Sequence, residues 1–118
     1  MTPEGQRILD AIRAERRSLP MHEILAERDP KFLEGYNAIY NSAQSDAQGL
    51  PEYVRELIVM ALDIAVGAAP AAARGHARRA IRAGATEAQV LGAVELVALV
   101  WAGKAVSALP TIFDDQQP

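Results

Sequence analysis

The sequence predicts an all-α protein of about six helices, and three observations carry that prediction. Half of the 118 residues are hydrophobic but only 5% are aromatic, with alanine dominant. Alanine combines the best helix propensity with a side chain small enough for helices to approach closely. Helix-start signals recur along the chain, at Thr2-Pro3-Glu4, Asp29-Pro30, Pro51-Glu52 and Thr86-Glu87-Ala88-Gln89. No stretch shows the alternation of a half-buried strand, and no fixed-period repeat is present.

The first helix starts with Thr2 as cap, Pro3 at the first helical position and Glu4 at the positive end of the dipole. Ile8, Leu9 and Ile12 give it one apolar face, and it is expected to run to about Arg17, with Glu15, Arg16 and Arg17 as a solvated end. Leu19-Pro20 stops it. A short second helix, Met21 to Arg28, is expected to turn Met21, Ile24 and Leu25 inward and to leave His22 on the surface. Asp29-Pro30 opens a third, whose stripe of Phe32, Leu33, Tyr36, Ile39 and Tyr40 reads as core. Asn41 to Gly49 is small and polar, and reads as a loop.

The fourth helix starts at Pro51-Glu52. Its run Leu57 to Val66 is apolar on nearly all sides, which calls for burial on all sides and, in a chain this short, for a subunit interface. Glu52, Glu56 and Asp63 stand four and seven apart on one stripe. Asp63 sits among apolar neighbours and needs an ion-pair partner, as does Glu95. Gly67 to Pro70 breaks the helix. The fifth, Ala71 to Ala83, ends at Gly84 and puts His76 on one face with Ala72, Arg79 and Ala80. Arg74, Arg78 and Arg82 form the opposite, solvated stripe. Thr86 and Gln89 make a capping box for the last long helix, again apolar all round except for Glu95. Gly103 is expected to end it, leaving Ala105 to Phe113 as a short apolar tail and the final DDQQP as a frayed end.

Several function classes fall away at this point. A net charge of -3 argues against nucleic acid as a partner. The absence of cysteine removes disulfides, thiolate nucleophiles and thiolate metal sites. With only two histidines, no metal site is expected. The N-terminus is too charged for a signal peptide, and the apolar runs, interrupted by Asp63 or Glu95, read as short of a membrane span. The expectation is a cytoplasmic protein with no membrane partner. The sequence contains no glycine-rich phosphate loop, Ser-His-Asp pattern or HExxH.

From Arg55 onward the order of signals is specific: RELIVMALDIAVGAAP, then RGHARRAIRAGAT, then a long Ala/Val/Leu helix ending in WAG. This resembles the carboxymuconolactone decarboxylase family, which also contains the AhpD-like alkylhydroperoxidases. The resemblance is firm from Leu50 to about Leu109, and ERDPKFLEGYNAIY fits the preceding family helix more loosely. It implies one domain over 1–118, with N-terminal helices in 1–48 and the family core in 49–113. The peroxidase branch carries a CxxC shortly before its histidine, where this chain has AAPAAARG. Thiol peroxidase activity is thereby excluded, and the chain looks like the cysteine-free decarboxylase branch. The resemblance places the family's acidic position on Glu56 and its histidine on His76. It also implies a homotrimer or hexamer.

A decarboxylase of this kind needs no cofactor, because a lactone carbonyl takes up the electrons that the departing CO2 leaves behind. The protein must hold a carboxylate, stabilise the developing anion and deliver a proton. Histidine suits proton delivery and arginine suits a carboxylate. The expected catalytic pair is therefore His76 with Glu56. Arg79 is the first candidate for binding a small anionic substrate, with Arg55 and Arg74 behind it. Tyr53, Trp101 and Lys104 are candidates for lining a pocket. Two other functions remain open: a different acid–base enzyme, isomerase or hydrolase, and a non-catalytic oligomeric subunit or small-molecule binder of the same fold. An enzyme is expected to bring His76 and Glu56 together beside a pocket. A scaffold is expected to leave His76 exposed or fully satisfied with no cavity beside it.

Overall fold

In the computed structural model, which describes residues 1–115, the chain is all-α. It forms two compact units, Met1–Gln48 and a second from Gly49 onward. The first holds α1 (Pro3–Glu15), α2 (Pro20–Arg28), α3 (Pro30–Ala43) and a single 3-10 turn at Asp46–Gln48. The second holds α4 (Glu52–Ala65), α5 (Pro70–Arg82), α6 (Glu87–Val106) and the short α7 (Leu109–Ile112). Of the expected frayed end, residues 116–118 lie outside the described residues.

The caps read from sequence are in place. Thr2 Oγ1 accepts from the Gly5 N–H at 3.1 Å, and Asp29 Oδ1 accepts from the Phe32 N–H at 3.1 Å. Thr86 and Gln89 exchange their two bonds at 3.1 and 2.9 Å. Gly84, at φ 113°, takes the left-handed conformation just past the end of α5, which costs a glycine little. Gly103 does not end α6, which runs three residues further to Val106. A glycine lowers helix propensity without forbidding helix, and the good helix formers around it carry the turn.

In the first unit the core is Ile8, Leu9, Ile12, Ala26 and Leu33, with Leu25 packed against it. Here α1 and α2 touch backbone to backbone. A Cβ on Gly5 would stand 2.0 Å from the Ala26 carbonyl oxygen. That close approach rotates α2 so that His22 and Ala26 face inward, while Met21 and Ile24 face out. The expectation of a surface His22 is therefore corrected, as is the inward placement of Met21 and Ile24. Arg16 is not a solvated end either. It donates to Asn37 Oδ1 at 2.7 Å and lies over the Tyr40 ring at 3.7 Å. The aromatic stripe of α3 is core at Leu33 only, since Phe32, Tyr36 and Ile39 are exposed.

The second unit buries little apolar surface: Met60, Ala80, Ala85 and Val97. Its buried residues also include Arg55 and Glu56. The expectation that α4 and α6 are buried on all sides does not hold within one chain. Leu62 of α4 and Leu96, Leu99 and Val100 of α6 are exposed, and so is Glu95. The stretch Glu87–Ile112 is also long and apolar enough to cross a membrane by length and composition, at a mean hydropathy of 1.6. The sequence reading stopped the run at Glu95 and Gly103, yet one carboxylate and a tolerated glycine do not lower the average enough.

Candidate acid–base site

The helix α4 has two working faces. Glu56, Met60 and Asp63 recur at i, i+4 and i+7, which stacks them on one stripe rising about 10 Å along the axis. His76, in the middle of α5, reaches both carboxylates of that stripe. Its Nδ1 lies 2.6 Å from Glu56 Oε2, and its Nε2 lies 3.6 Å from Asp63 Oδ2. A carboxylate can only accept, so Nδ1 carries the proton and donates it to Glu56. The short distance is that of a charge-assisted hydrogen bond. The second contact is too long for a hydrogen bond and short enough for an ion pair.

Burial separates the two carboxylates as distance does. The Glu56 side chain is 5% exposed and that of Asp63 is 26%, with His76 between them at 16%. Glu56 thus fixes the tautomer and the ring plane, while Nε2 points to the wetter end of the stripe. The arrangement needs both helices. The spacing on α4 sets the two acceptors, and the Gly67–Ala69 connection brings α5 back alongside.

The other expected site residues divide into four groups. Arg55 is buried and donates through Nη1 to the Leu50 carbonyl, so it secures the entrance to α4. Arg79 is half-buried and folds back along α5, its Nη2 4.0 Å from where a Cβ on Gly75 would stand; Arg74 is exposed. Tyr53 and Trp101 line an open apolar groove of about 930 Å³ between α4 and α6, with Leu57, Ala61, Ala93 and Val97. Neither His76 nor Glu56 lines that groove. The structure therefore joins His76 with Glu56 and separates them from Tyr53 and Trp101. Lys104, near the end of α6, is exposed.

Asp63 is the residue whose role sequence reasoning missed. It was expected to need an ion-pair partner, and that partner is His76. The signal was present in the seven-residue spacing from Glu56, because an imidazole offers two nitrogens on opposite sides and can bridge acceptors two turns apart. Since the carboxylates sit at opposite nitrogens, their oxygens do not converge on one point. Among the described residues no group of three His, Cys, Asp or Glu is placed to hold a metal ion.

Fold and site together define a small helical protein whose second unit is centred on one imidazole held between carboxylates. The family model described as carboxymuconolactone decarboxylase family matches residues 30–112, and the chain belongs to that family. No curated protein and no solved structure matches the chain.

Proposed function

We propose that the protein is a cofactor-free lyase that removes CO2 from a small lactone or keto acid bearing a carboxylate, with His76 as the proton donor and Glu56 as its positioning residue. The observation that carries this reading is the 2.6 Å bond from His76 Nδ1 to the buried Glu56 carboxylate. It leaves Nε2 as the nitrogen that can meet a substrate. In the reaction the bond between the ring carbon and the carboxylate breaks and CO2 departs. The electron pair stays on the substrate and spreads into its carbonyl as an enolate. The proton on Nε2 of the imidazolium is delivered to carbon, and solvent returns a proton to the ring. Arg79, half-buried and three residues beyond His76 on α5, is the guanidinium we take to hold an anionic group.

General acid catalysis of this kind contributes roughly 10²- to 10⁴-fold. CO2 release from a γ-lactone carboxylate is expected to fall by that factor in His76→Gln. In Glu56→Gln the imidazole keeps a neutral partner, so the loss is smaller and the pH–rate profile moves. Retention of full activity by His76→Gln would overturn the reading.

A second reading, a non-catalytic binder of the same fold, is favoured by two observations: both ring nitrogens already face carboxylates, and the large groove lies elsewhere. Under it no carboxylate-bearing lactone or keto acid releases CO2 and His76→Gln only destabilises.

We also infer a cytoplasmic homo-oligomer, trimer or hexamer. The support is the open apolar face of α6, where Leu96, Leu99 and Val100 are each more than 60% exposed. Exposed apolar surface of this kind marks contact with another chain or with a membrane, and we take a second copy of the chain as its occupant. Light scattering on the purified chain tests it, and a monodisperse monomer would count against it.

A further inference from the structure

The two carboxylates on His76 are not equivalent, and the difference assigns them different jobs. Glu56 is close, buried and central in α4. Asp63 is 3.6 Å away, more exposed and in the last turn of its helix. That position is unfavourable for a carboxylate, because the carbonyl end of the helix dipole is negative. Past Asp63 the chain turns at Gly67, which is exposed and has φ 76°. Among the described residues the Asp63 side chain pairs with His76 and with no other group. Its carboxylate is therefore held by one loose ionic contact, at the one ring nitrogen that Glu56 leaves open.

We propose that Asp63 is a built-in competitor for Nε2 of His76: it occupies the ion-pairing position that a substrate carboxylate takes, and it is displaced when that substrate binds. The inference rests on the reading of Nε2 as the substrate-facing nitrogen. A substrate oxygen that hydrogen-bonds Nε2 must come to about 3 Å. A second anion at that point is repelled by the Asp63 carboxylate at its present distance. Binding thus exchanges one anion for another at His76, which tunes the site against small, weakly held anions. A substrate succeeds when the rest of its surface adds contacts. The displaced Asp63 stays close enough to pair with the imidazolium again once product departs. It is a specificity-determining residue and not a proton donor.

The test reads binding and not turnover. Acetate and a γ-lactone carboxylate are titrated separately into the full-length protein, and the His76 ring resonances are followed by NMR. This is done in wild type, Asp63→Asn, Asp63→Ala and Asp63→Glu. Removing one like charge at a partly exposed site is expected to tighten acetate roughly five- to tenfold in the Asn and Ala variants. Asp63→Glu, which keeps the charge, is expected to stay near wild type. His76→Gln introduced into either neutral variant, where acetate binding is followed by the backbone amide resonances around residue 76 instead, is expected to abolish the gain. Unchanged or weaker acetate binding in both neutral variants would overturn the proposal and leave Asp63 as a structural ion pair. Using both Asn and Ala guards against one of them failing to fold or making a new bond to Nε2. If acetate tightens as expected while no variant releases CO2, the lyase reading fails and the competitor role stands. If CO2 is released but acetate binding ignores Asp63, the reverse holds.

Discussion

The chain's two histidines have opposite settings, one in each unit. His22 is 3% exposed, and its Nδ1 accepts a backbone N–H, that of Leu19, at 2.8 Å. His76 donates from Nδ1 to a carboxylate and faces a second one at Nε2. The first serves as a neutral acceptor, since a protonated Nδ1 cannot accept. Burial, and after it the nearby Arg16 charge, lowers its pKa below 6.5. The second is a donor at Nδ1, while its Nε2 stands too far from Asp63 for a hydrogen bond. The units differ in the same way. The first is assembled on aliphatic packing around Leu9, Ile12 and Leu33, while the second holds Arg55 and Glu56 in its interior and leaves much of its apolar surface outside. Residue type alone says little about a histidine; the partners at its two nitrogens decide its use.

The largest expected difference between the two is in activity. If the units are divided as described, His76→Gln lowers CO2 release by roughly 10²-fold or more, whereas His22→Gln leaves it within about twofold. Steady-state assays on both variants check this. Equal losses would mean that the first unit takes part in the chemistry, and the comparison would break.

Next in size is Gly5→Ala. Its new Cβ would stand 2.0 Å from the Ala26 carbonyl oxygen, which is backbone and cannot swing aside. Helices α1 and α2 must separate, opening the core around Ile8 and Leu9. The expected cost is about 2–4 kcal/mol, the range of severe overpacking. Urea denaturation measures it. A loss under about 1 kcal/mol would show that the first unit is not held by that close approach.

The sequence made most of the fold legible because caps, prolines and apolar spacing are local signals. Thr2, Asp29 and the Thr86–Gln89 box all act where they were read. The failures concern which way a helix faces. The apolar residues Met21 and Ile24 looked like core, but Gly5 permits an approach that turns His22 and Ala26 inward instead. The pairing of His76 with Glu56 followed from the family resemblance. Asp63 shares the Glu56 stripe in the sequence, but that His76 is its partner emerges only in three dimensions, since no local rule links residue 63 to residue 76. The role of His22 was legible in principle. Pro20 occupies the first helical position, which makes Leu19 the cap and His22 the third residue, where a glutamine or glutamate often reaches back to the cap N–H.

That cap geometry yields the next prediction. His22→Ala removes an acceptor from a partly buried backbone donor and leaves a cavity, at an expected cost of about 1–3 kcal/mol. His22→Gln can remake the reciprocal bond from the third helical position and is expected to recover about half of that loss. Thermal melts of the two variants decide it. If Gln is no better than Ala, the ring is retained for packing against its surroundings, which include Tyr36 at a ring separation of 6.3 Å.

The smallest effect is the pH dependence that His22 confers, and its sign is fixed by the direction of the shift. The folded pKa lies below the ordinary 6.5, through burial first and the Arg16 charge second. Above pH 6.5 neither the folded nor the unfolded chain binds a proton there, so the contribution is fully present. As pH falls through 6.5 the unfolded chain takes up the proton first, and stability is lost until the folded pKa is passed. His22→Gln has no such group. Denaturation at pH 8, 7, 6 and 5.5, above the range where most carboxylates titrate, is expected to show wild type losing stability relative to His22→Gln as pH falls. His76→Gln carried through the same series separates the two histidines, because it retains the His22 slope. A wild-type minus His22→Gln difference that is flat across the series would mean that His22 is not held neutral, and the contrast between the two histidines would lose its electrostatic basis.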